Sequence, residues 1–472
     1  MKNISLKLLT VLIFILSFQN GFGKIKLAGI IDSNMVLQRN AEVKLWGWAN
    51  PSEKITISTS WISKRITVAA DANSRWEVIV RTTLSKEPQT IQFKSAESDI
   101  SIDNILFGEV WLCSGQSNMR QPLKGFTGQP TFEGNRAIVT SNNKNIRLFS
   151  ITENGSLTSL DTLIKYKKWS QASPESVKDF SAVGFFYGKQ LQEVLDVPVG
   201  LIMTSWGGTQ IQPWISKETM NPLLEKNNRK SDTIDRFKKV PSAIFNAMIN
   251  PITSFKIKGV LWYQGESNRK EPKIYEKLFP EMVKDWRTKW GIGDFPFYYV
   301  QIAPNNYVDK SSSQFLREVQ LKSLKNIPNS GMAVLSDIGS DVKIHPPKKK
   351  EVADRLLYLA LNMTYGMKDV DCLGPVYKSM IEKEGALILS FDNAETGLFS
   401  PEVSISNFEI AGDDKIFYPA KAEIIENKTL KVLSDQVKIP IAVRYGWANW
   451  FVGTLFDNSM LPASSFRTDD WE

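Results

Sequence analysis

The segment from Gly108 to Met119 reads GEVWLCSGQSNM, a short apolar run that ends in a loop of small polar residues. Such a run is typical of a buried parallel strand, which delivers the residues after it to the carboxyl edge of a sheet. Ser114 precedes Gly115, whereas Ser117 follows it, where the chain can turn into a helix and offer backbone N–H groups. We therefore predict Ser117 as a nucleophile and Ser114 as its competitor. The loop alone is weak evidence, since most such loops are simple turns.

The composition describes a folded, multidomain protein. At 472 residues the chain exceeds what one hydrophobic core usually serves, so two or three domains are expected. Hydrophobic residues make up 42% and charged residues 23%, values typical of globular proteins. The formal net charge is +8, but the basic residues are scattered along the sequence. We therefore predict no nucleic-acid partner.

The amino terminus, residues 1–23, has the pattern of a cleavable secretory signal. Two early lysines precede an apolar run from 8 to 18, and small residues follow it. This run is shorter than the about 20 residues that cross a bilayer, and no other stretch approaches that length, so we predict no membrane span. The expected location is periplasmic or secreted. Export would permit a disulfide between Cys113 and Cys372, and two free thiols are equally compatible.

Strand and helix patterns divide the rest of the chain into three parts. Residues 24–105 read as short strands between turns, which predicts a β-sandwich-like module. From 106 to 366 strands alternate with helices, the pattern of a three-layer α/β domain with a parallel sheet. Residues 367–472 return to short strands and predict a second β-sandwich-like module. The sheet is predicted to have five strands, at 110–112, 199–203, 259–263, 297–302 and 332–335.

Polar residues follow several of these strands, and the carboxyl ends of parallel strands meet at one edge of the sheet. Ester hydrolysis passes through a tetrahedral intermediate whose oxygen needs fixed hydrogen-bond donors. We predict such donors in the backbone N–H groups of Ser117 and of Gly207 or Gly208, with a side-chain amide from Gln264 or Asn268. The loops concerned are Ser205-Trp206-Gly207-Gly208-Thr209 and Gln264-Gly265-Glu266-Ser267-Asn268.

The chain contains one histidine, His345. A serine hydroxyl needs a base to remove its proton, and the pKa of histidine suits that task. One imidazole does not build a multi-histidine zinc site, so we predict neither metal nor cofactor. The combination of Ser117 and His345 therefore favours a serine hydrolase.

No Gly-x-Ser-x-Gly motif surrounds either serine, which argues against an α/β-hydrolase elbow. The conserved-looking blocks instead resemble the sialate O-acetylesterase family, a group of SGNH-type carbohydrate acetylesterases, nearly end to end. The resemblance implies a flavodoxin-like hydrolase domain between β modules, and removal of O-acetyl groups from sugars with Ser117 as nucleophile and His345 as base. The matching stretches are 34–39, 46–49, 108–119, 205–209, 262–268, 344–346, 443–447 and 466–471.

Three positions depart from the family pattern, and one of them is Asn250, where the family often has a histidine. The family usually has an aspartate two residues before its histidine, where this chain has Lys343. We predict that Asp341 orients His345 instead, with Glu266 and Asp337 as alternatives. The block around the serine usually continues with a glutamate, whereas this chain has Arg120, which changes the charge at the substrate rim.

The resemblance allows three interpretations of how the protein acts on its acetylated carbohydrate partner. O-acetylated sialic acid is the first expectation. An acetylxylan or other polysaccharide acetylesterase is the second, and a carbohydrate-binding protein on a degenerate esterase scaffold, marked by Lys343, is the third. Turnover of a chromogenic acetyl ester would separate the third from the others. The sequence carries no signal for an oligomeric state.

Overall fold

The computed structural model describes residues 24–223, 237–309 and 311–471. The signal predicted for residues 1–23 lies outside these ranges. Among the described residues, no helix combines the length and the apolar character needed to cross a membrane.

The chain begins with a β-rich region whose two sheets share one hydrophobic core. One sheet has the order β1-β3-β6, and in the other β4 pairs with β5 and β7, and β7 pairs with β8. Buried and exposed residues alternate strictly along β6 and β7, as expected for strands with one face on a core. The strands are β1 Lys26–Leu27, β2 Val36–Gln38, β3 Glu42–Trp48, β4 Lys54–Thr59, β5 Ile62–Ala69, β6 Arg75–Arg81, β7 Gln89–Lys94 and β8 Asp99–Gly115.

Strand β8 belongs to two sheets at once. Its first half pairs antiparallel with β7, from Asp99 to Ile105, and its second half lies in the central parallel sheet. The boundary predicted between residues 105 and 106 therefore falls within a continuous strand. Because residues 110–112 are fully buried at its centre, β8 presents the loop after Gly115 from a rigid support.

The central sheet has the order β10-β9-β11-β8-β12-β13-β14. All neighbouring pairs are parallel except β10 with β9, which is antiparallel. The five predicted strands are present, but the predicted number was wrong, because β9 adds a sixth parallel strand and β10 an antiparallel edge. The strands that complete this sheet are β9 Asn143–Ile151, β10 Tyr166–Ala172, β11 Val199–Ser205, β12 Gly259–Tyr263, β13 Phe297–Val300 and β14 Ser330–Ala333.

A buried arginine explains why β9 escaped the sequence analysis. Arg147 interrupts the apolar run of this strand, yet it is only 1% exposed. Its guanidinium donates to the side-chain oxygens of Asn34 and Asn104, both at 3.1 Å. Its Nε donates locally, to Lys144 O at 2.7 Å, but the other two nitrogens are satisfied by residues more than 40 positions away, which no local pattern reveals.

Helices cover the central sheet on both faces. Trp111 and Tyr263 pack in a core with α4 and α8, whereas Trp262 packs on the opposite face, with its ring centroid 5.7 Å from that of Trp286 in α6. The helices are α1 Ser117–Arg120, α2 Gly134–Val139, α3 Pro174–Val177, α4 Ala182–Leu195, α5 Lys217–Met220, α6 Pro272–Trp290, α7 Gln314–Asn326 and α8 Lys349–Leu359. Short 3₁₀ turns lie at Gln212–Trp214, Asn221–Leu223, Asn250–Ile252 and Glu266–Asn268, and π-helical turns at Phe245–Ile249 and Ala360–Thr364.

The strand order reverses at β8. The chain passes from β8 to β9 and β11 on one side, and then to β12 on the other side. The carboxyl end of β8 therefore lies between the ends of β11 and β12. Open α/β sheets bind ligands in the crevice at such a reversal.

The carboxyl-terminal region is a second β-rich unit with its own core. Its main sheet is antiparallel, with the order β15-β16-β20-β19-β18-β21-β23, beside the pair β17-β22. Fully buried Arg317 of α7 joins it to the α/β domain, since its Nε donates to Ser465 Oγ at 3.1 Å. Cys113 and Cys372 are free thiols. The strands are β15 Val376–Lys383, β16 Ala386–Asp392, β17 Leu398–Phe399, β18 Ile405–Ala411, β19 Tyr418–Glu426, β20 Thr429–Leu433, β21 Ala442–Tyr445, β22 Phe456–Asp457 and β23 Phe466–Arg467.

Candidate active site

The turn after β8 separates the two candidate serines. Gly115 ends the strand with φ +134°, and a Cβ there would lie 2.2 Å from the carbonyl oxygen of Tyr263, so glycine is required. Ser114 is fully buried, and its hydroxyl has no hydrogen-bond partner among the described residues. Ser117 begins α1 and is half-buried. Of the two hydroxyls, that of Ser117 is the one that reaches the crevice.

Ser117 is hydrogen-bonded to His345. The distance between Ser117 Oγ and His345 Nε2 is 2.7 Å, and the imidazole packs against Phe126 with a centroid distance of 5.3 Å. Burial, together with the nearby positive charge of Lys349, lowers the pKa of His345 to about 4. The imidazole is therefore neutral at neutral pH, which is the form that can accept a proton from a hydroxyl.

The other ring nitrogen of His345 faces a glutamine. Gln129 Oε1 lies 2.5 Å from His345 Nδ1. Because an amide oxygen only accepts, this contact assigns the hydrogen to Nδ1 and leaves the lone pair of Nε2 toward Ser117. Gln121 holds the loop that carries Gln129, since its Nε2 donates to Pro130 O at 3.0 Å and to Thr131 Oγ1 at 3.2 Å.

Gln129 was not predicted as a site residue. The one local signal was its position between Gly128 and Pro130, two residues typical of turns. Such a signal predicts a turn and says nothing about which distant side chain the turn will meet.

The structure corrects the predicted position of Asp341, whose place at Nδ1 is held by Gln129. Asp341 is exposed, and within the described residues it makes no hydrogen bond to His345. The reason is the direction of the ring, which points to the 126–131 loop instead of back along its own loop. Asp337, an alternative acid, is bound by Arg355 through two hydrogen bonds of 2.8 and 2.7 Å.

Glu266, the other alternative acid, belongs to a buried network behind the serine. Its Oε1 accepts a hydrogen bond from Asn118 Nδ2 at 2.5 Å, and Lys349 Nζ donates to Asn118 Oδ1 at 2.6 Å. Asn118 Nδ2 also donates to Ile344 O at 3.1 Å, next to His345. Burial raises the pKa of Glu266 and lowers that of Lys349 to about 7. Neither Asn118 nor Lys349 was predicted as a site residue.

The loop after β11 lies beside Ser117. Trp206 N donates to Gly115 O at 3.0 Å, which fastens this loop to the end of β8. A Cβ on Gly207 would lie 3.4 Å from Ser117 Cβ, so glycine keeps the space next to the hydroxyl open. Gly208 is exposed, with φ +74°, which favours glycine as well. This geometry places Gly207 directly beside Ser117.

The loop after β12 gives its two amides different tasks. Gln264 Nε2 donates to Thr209 O at 3.0 Å and to Asn268 Oδ1 at 2.9 Å, which uses both of its hydrogens. Asn268 Nδ2 donates to Gln212 Oε1 at 3.2 Å, which leaves one hydrogen of that amide. Gln264 therefore orients Asn268, and one hydrogen of the Asn268 amide has no acceptor among the described residues.

The arrangement of a hydroxyl, a neutral imidazole and nearby N–H donors suits acyl transfer. Within the described ranges, no group of three or more His, Cys, Asp or Glu side chains is placed to hold a metal ion.

Comparison with known families agrees with this chemistry. The family model of carbohydrate esterases described as sialic acid-specific acetylesterase matches residues 108–352. The chain belongs to this family. A carbohydrate acetylesterase from Xanthomonas citri has 32% sequence identity and a TM-score of 0.87, and the match covers 95% of this chain and all of that one.

Two mammalian proteins are also similar over most of their length. The sialate O-acetylesterase of Mus musculus is 28% identical across 93% of this chain and 94% of its own. The sialate O-acetylesterase of Homo sapiens is 28% identical across 90% of this chain and 88% of its own. The prediction that the chain is an esterase enzyme is therefore confirmed, and carbohydrate acetylesterase activity is supported.

This member of the sialic acid-specific acetylesterase family has an ion pair beside the serine. Arg120 follows Ser117 by one helical turn, and its Nη1 lies 2.7 Å from Glu153 Oε1. The side chains of Arg120 and Glu153 are 45% and 23% exposed, so both remain accessible at the rim. The guanidinium that Arg120 adds at this position is thus paired with a carboxylate and partly exposed.

Proposed function

We propose that the protein removes O-acetyl groups from sugars by a serine mechanism, with O-acetylated sialic acid as the substrate. The observation that carries the mechanism is the 2.7 Å contact between Ser117 Oγ and His345 Nε2. The choice of sialic acid rests on the family and on the mammalian relatives. Exposed Arg120 supports it, because a guanidinium beside the nucleophile suits a sugar that bears a carboxylate.

The first half-reaction forms an acetyl-enzyme. His345 Nε2 takes the proton of Ser117 as Oγ bonds to the acetyl carbon, and the carbonyl oxygen gains the negative charge. The N–H groups of Ser117 and Gly207 or Gly208, with Asn268 Nδ2, stabilise that oxygen. As the intermediate collapses, the bond to the sugar oxygen breaks, and His345 returns its proton to the departing sugar hydroxyl.

The second half-reaction repeats these steps with water. His345 Nε2 removes a proton from water, the resulting hydroxide bonds to the acetyl carbon, and the bond to Ser117 Oγ breaks. Ser117 recovers its proton, and acetate leaves. Throughout, Gln129 fixes the tautomer of His345 through Nδ1, but as a neutral amide it does not add a negative charge beside the imidazolium.

A serine-directed label tests the mechanism. A fluorophosphonate probe should bond to Ser117 Oγ, and peptide mass spectrometry should locate the added mass on the peptide that contains it. Labelling should disappear in Ser117→Ala and persist in Ser114→Ala. A label on any other serine, or none on active enzyme, would contradict the proposed nucleophile.

Substrate competition tests the sugar. We expect kcat/KM to be higher for O-acetylated sialic acid than for acetylated xylan, with acetate release as the assay for both. Arg120→Ala should lower kcat/KM for the anionic sugar and leave the neutral xylan ester unchanged. The reverse preference would assign the enzyme to polysaccharide deacetylation instead.

We also propose export and an SGNH-type, flavodoxin-like core. The pattern of residues 1–23 supports cleavage and a periplasmic or secreted location, and the mass of the mature chain tests it.

The order β11-β8-β12-β13-β14 supports the SGNH-type, flavodoxin-like core. Numbered along the chain, these five strands follow the order 2-1-3-4-5.

A further inference from the structure

Two oppositely charged side chains are buried behind the candidate nucleophile without touching each other. Lys349 is 0% and Glu266 2% exposed. Among the described residues, the hydrogen-bond acceptor of Lys349 Nζ is Asn118 Oδ1, and Glu266 Oε2 has no partner. Burial of charges with unused hydrogen-bonding capacity is costly, and well-packed apolar residues are often at least as stable. Stability alone therefore does not account for this pair.

The position of Lys349 adds to that cost. It is the first residue of α8, where the helix dipole is positive and disfavours a cation. The ammonium lies 5.3 Å from the centroid of the Tyr263 ring, which offers some compensation. Lys350, the next residue, shows the ordinary alternative, since it is half-buried and pairs with Asp354 on the same helix at 2.8 Å.

Asn118 is the connection between the two charges. Its oxygen faces the ammonium, and its nitrogen donates both to the carboxylate and to Ile344 O. A rotation of the amide by 180° would set its nitrogen against the ammonium and its oxygen against the carboxylate. The two charges therefore allow one orientation of this amide, which neutral neighbours would not enforce.

That orientation links the two reacting residues. Asn118 follows Ser117 directly, and Ile344 precedes His345 directly. The hydrogen bond from Asn118 Nδ2 to Ile344 O at 3.1 Å thus ties the start of α1 to the histidine loop. We propose that Lys349 and Glu266 are positioning residues, which lock Asn118 and so hold His345 Nε2 at Ser117 Oγ. This inference rests on the serine mechanism proposed above.

The charged groups around His345 and Glu266 determine how the activity should depend on pH. His345 faces Lys349, which contributes to its low pKa, and its other neighbours Ser117 and Gln129 are neutral. Burial raises the pKa of Glu266, while the nearby charges of Lys349 and Arg269 favour its charged form. Burial also raises the pKa of Tyr263 and Tyr307, and the charge of Glu266 acts in the same direction. Removal of the ammonium should therefore raise the pKa of His345, in addition to any effect on geometry.

The test compares Lys349→Met, Glu266→Gln, the double variant and the control Lys350→Met, with acetate release from an acetyl ester. Each single change should lower kcat about 10- to 100-fold at similar KM, the size expected for loss of a charged hydrogen bond. The double variant should be at least as slow as either single change, because neutral neighbours no longer enforce the orientation of Asn118. Lys350→Met should match the wild type, and Lys349→Met should move the acid limb of the kcat profile to higher pH.

Wild-type kcat in Lys349→Met and Glu266→Gln would overturn the inference. If Lys349→Met does not fold, Asn118→Ala removes the connection while both charges stay, and unchanged kcat in that variant would overturn it equally. Ser117→Ala separates this result from the proposed function. If Ser117→Ala is active, the serine mechanism fails and the inference fails with it; if Ser117→Ala is inactive and the network variants are normal, the inference alone fails.

Discussion

The two nitrogens of His345 face regions of very different construction. Nε2 meets Ser117, which stands at the end of β8 in the middle of the central sheet. Nδ1 meets Gln129, which lies on the loop between α1 and α2. The sheet determines where the nucleophile stands, because its neighbours in β11 and β12 are paired with β8 up to Gly115. The loop determines the tautomer and charge balance of the base.

The loop places an amide, and not a carboxylate, at His345 Nδ1, and this changes the chemistry of the ring. A carboxylate at Nδ1 would orient the ring and also stabilise the imidazolium, whereas an amide only orients it. The proposed base, His345, therefore begins with a low pKa and gains no countercharge from its orienting residue. Nearby Lys349 acts in the same direction, since it also disfavours the imidazolium.

The largest expected effect is on the Nε2 side. Ser117→Ala should lower kcat by about 10³-fold or more, because covalent catalysis is lost while binding and the oxyanion donors remain. Ser114→Ala, the matched change in the same loop, should leave kcat within a small factor of wild type, since the Ser114 hydroxyl is buried and has no hydrogen-bond partner among the described residues. Steady-state hydrolysis of an acetyl ester by both variants measures this. A large loss in Ser114→Ala alone would reverse the assignment.

The next effect concerns the loop after β12, where the structure assigned two neighbouring amides different tasks. Asn268→Ala should lower kcat by about 10²- to 10³-fold with little change in KM, the usual result of removing an oxyanion donor. Gln264→Ala should cost less, because this side chain acts by orienting Asn268. Kinetics of the two variants on one ester decide the order. If both changes raise KM alone, these residues hold the ground-state substrate.

The sheet side of the site was predictable because its signals are local. Apolar runs such as 110–112 are fully buried, and each ends in small polar residues at the same sheet edge. The polar strand β9 was not predictable, because buried Arg147 is satisfied by Asn34 and Asn104 through the fold. Local pattern therefore located the serine, the glycines and the amides of the strand ends.

The loop side was not predictable, because its contacts span the chain. Gln129 and His345 are 216 residues apart, and their meeting depends on the path that Gln121 imposes on its loop. Lys349 is the middle of three lysines that read as a solvated run, yet it is fully buried. Proximity in sequence favoured Asp341 for the orienting role, and the direction of the imidazole ring decided against it.

A smaller effect is expected on the Nδ1 side. Gln129→Ala should lower kcat about 10-fold, since one hydrogen bond of about 1 to 1.5 kcal/mol is lost from the ring. Asp341→Asn should stay within about twofold of wild type, because this exposed carboxylate does not reach the ring. Parallel assays with one acetyl ester compare them. If Asp341→Asn loses activity while Gln129→Ala stays normal, the loop that carries His345 must rearrange during turnover so that the Asp341 carboxylate binds Nδ1.

A change of charge at His345 Nδ1 should have the smallest effect on rate at neutral pH. It also separates the roles of the two ring nitrogens most clearly. In the wild type the pKa of His345 is lowered to about 4, so the imidazole is neutral above that pH and the acid limb of kcat/KM should lie near pH 4. Gln129→Glu places a carboxylate at the ring, which favours the imidazolium and should raise this pKa by about 1 to 3 units. The variant should therefore lose activity below about pH 5 to 7, where the wild type is still active, and should be no slower at pH 8, where both bases are neutral. Acetate release from an uncharged ester, measured at each pH with a check of folding by circular dichroism, gives both acid limbs. An unmoved limb would show that residue 129 does not face the ring in solution, and a wild-type limb near the ordinary histidine value of about 6.5 would show that burial does not control the base.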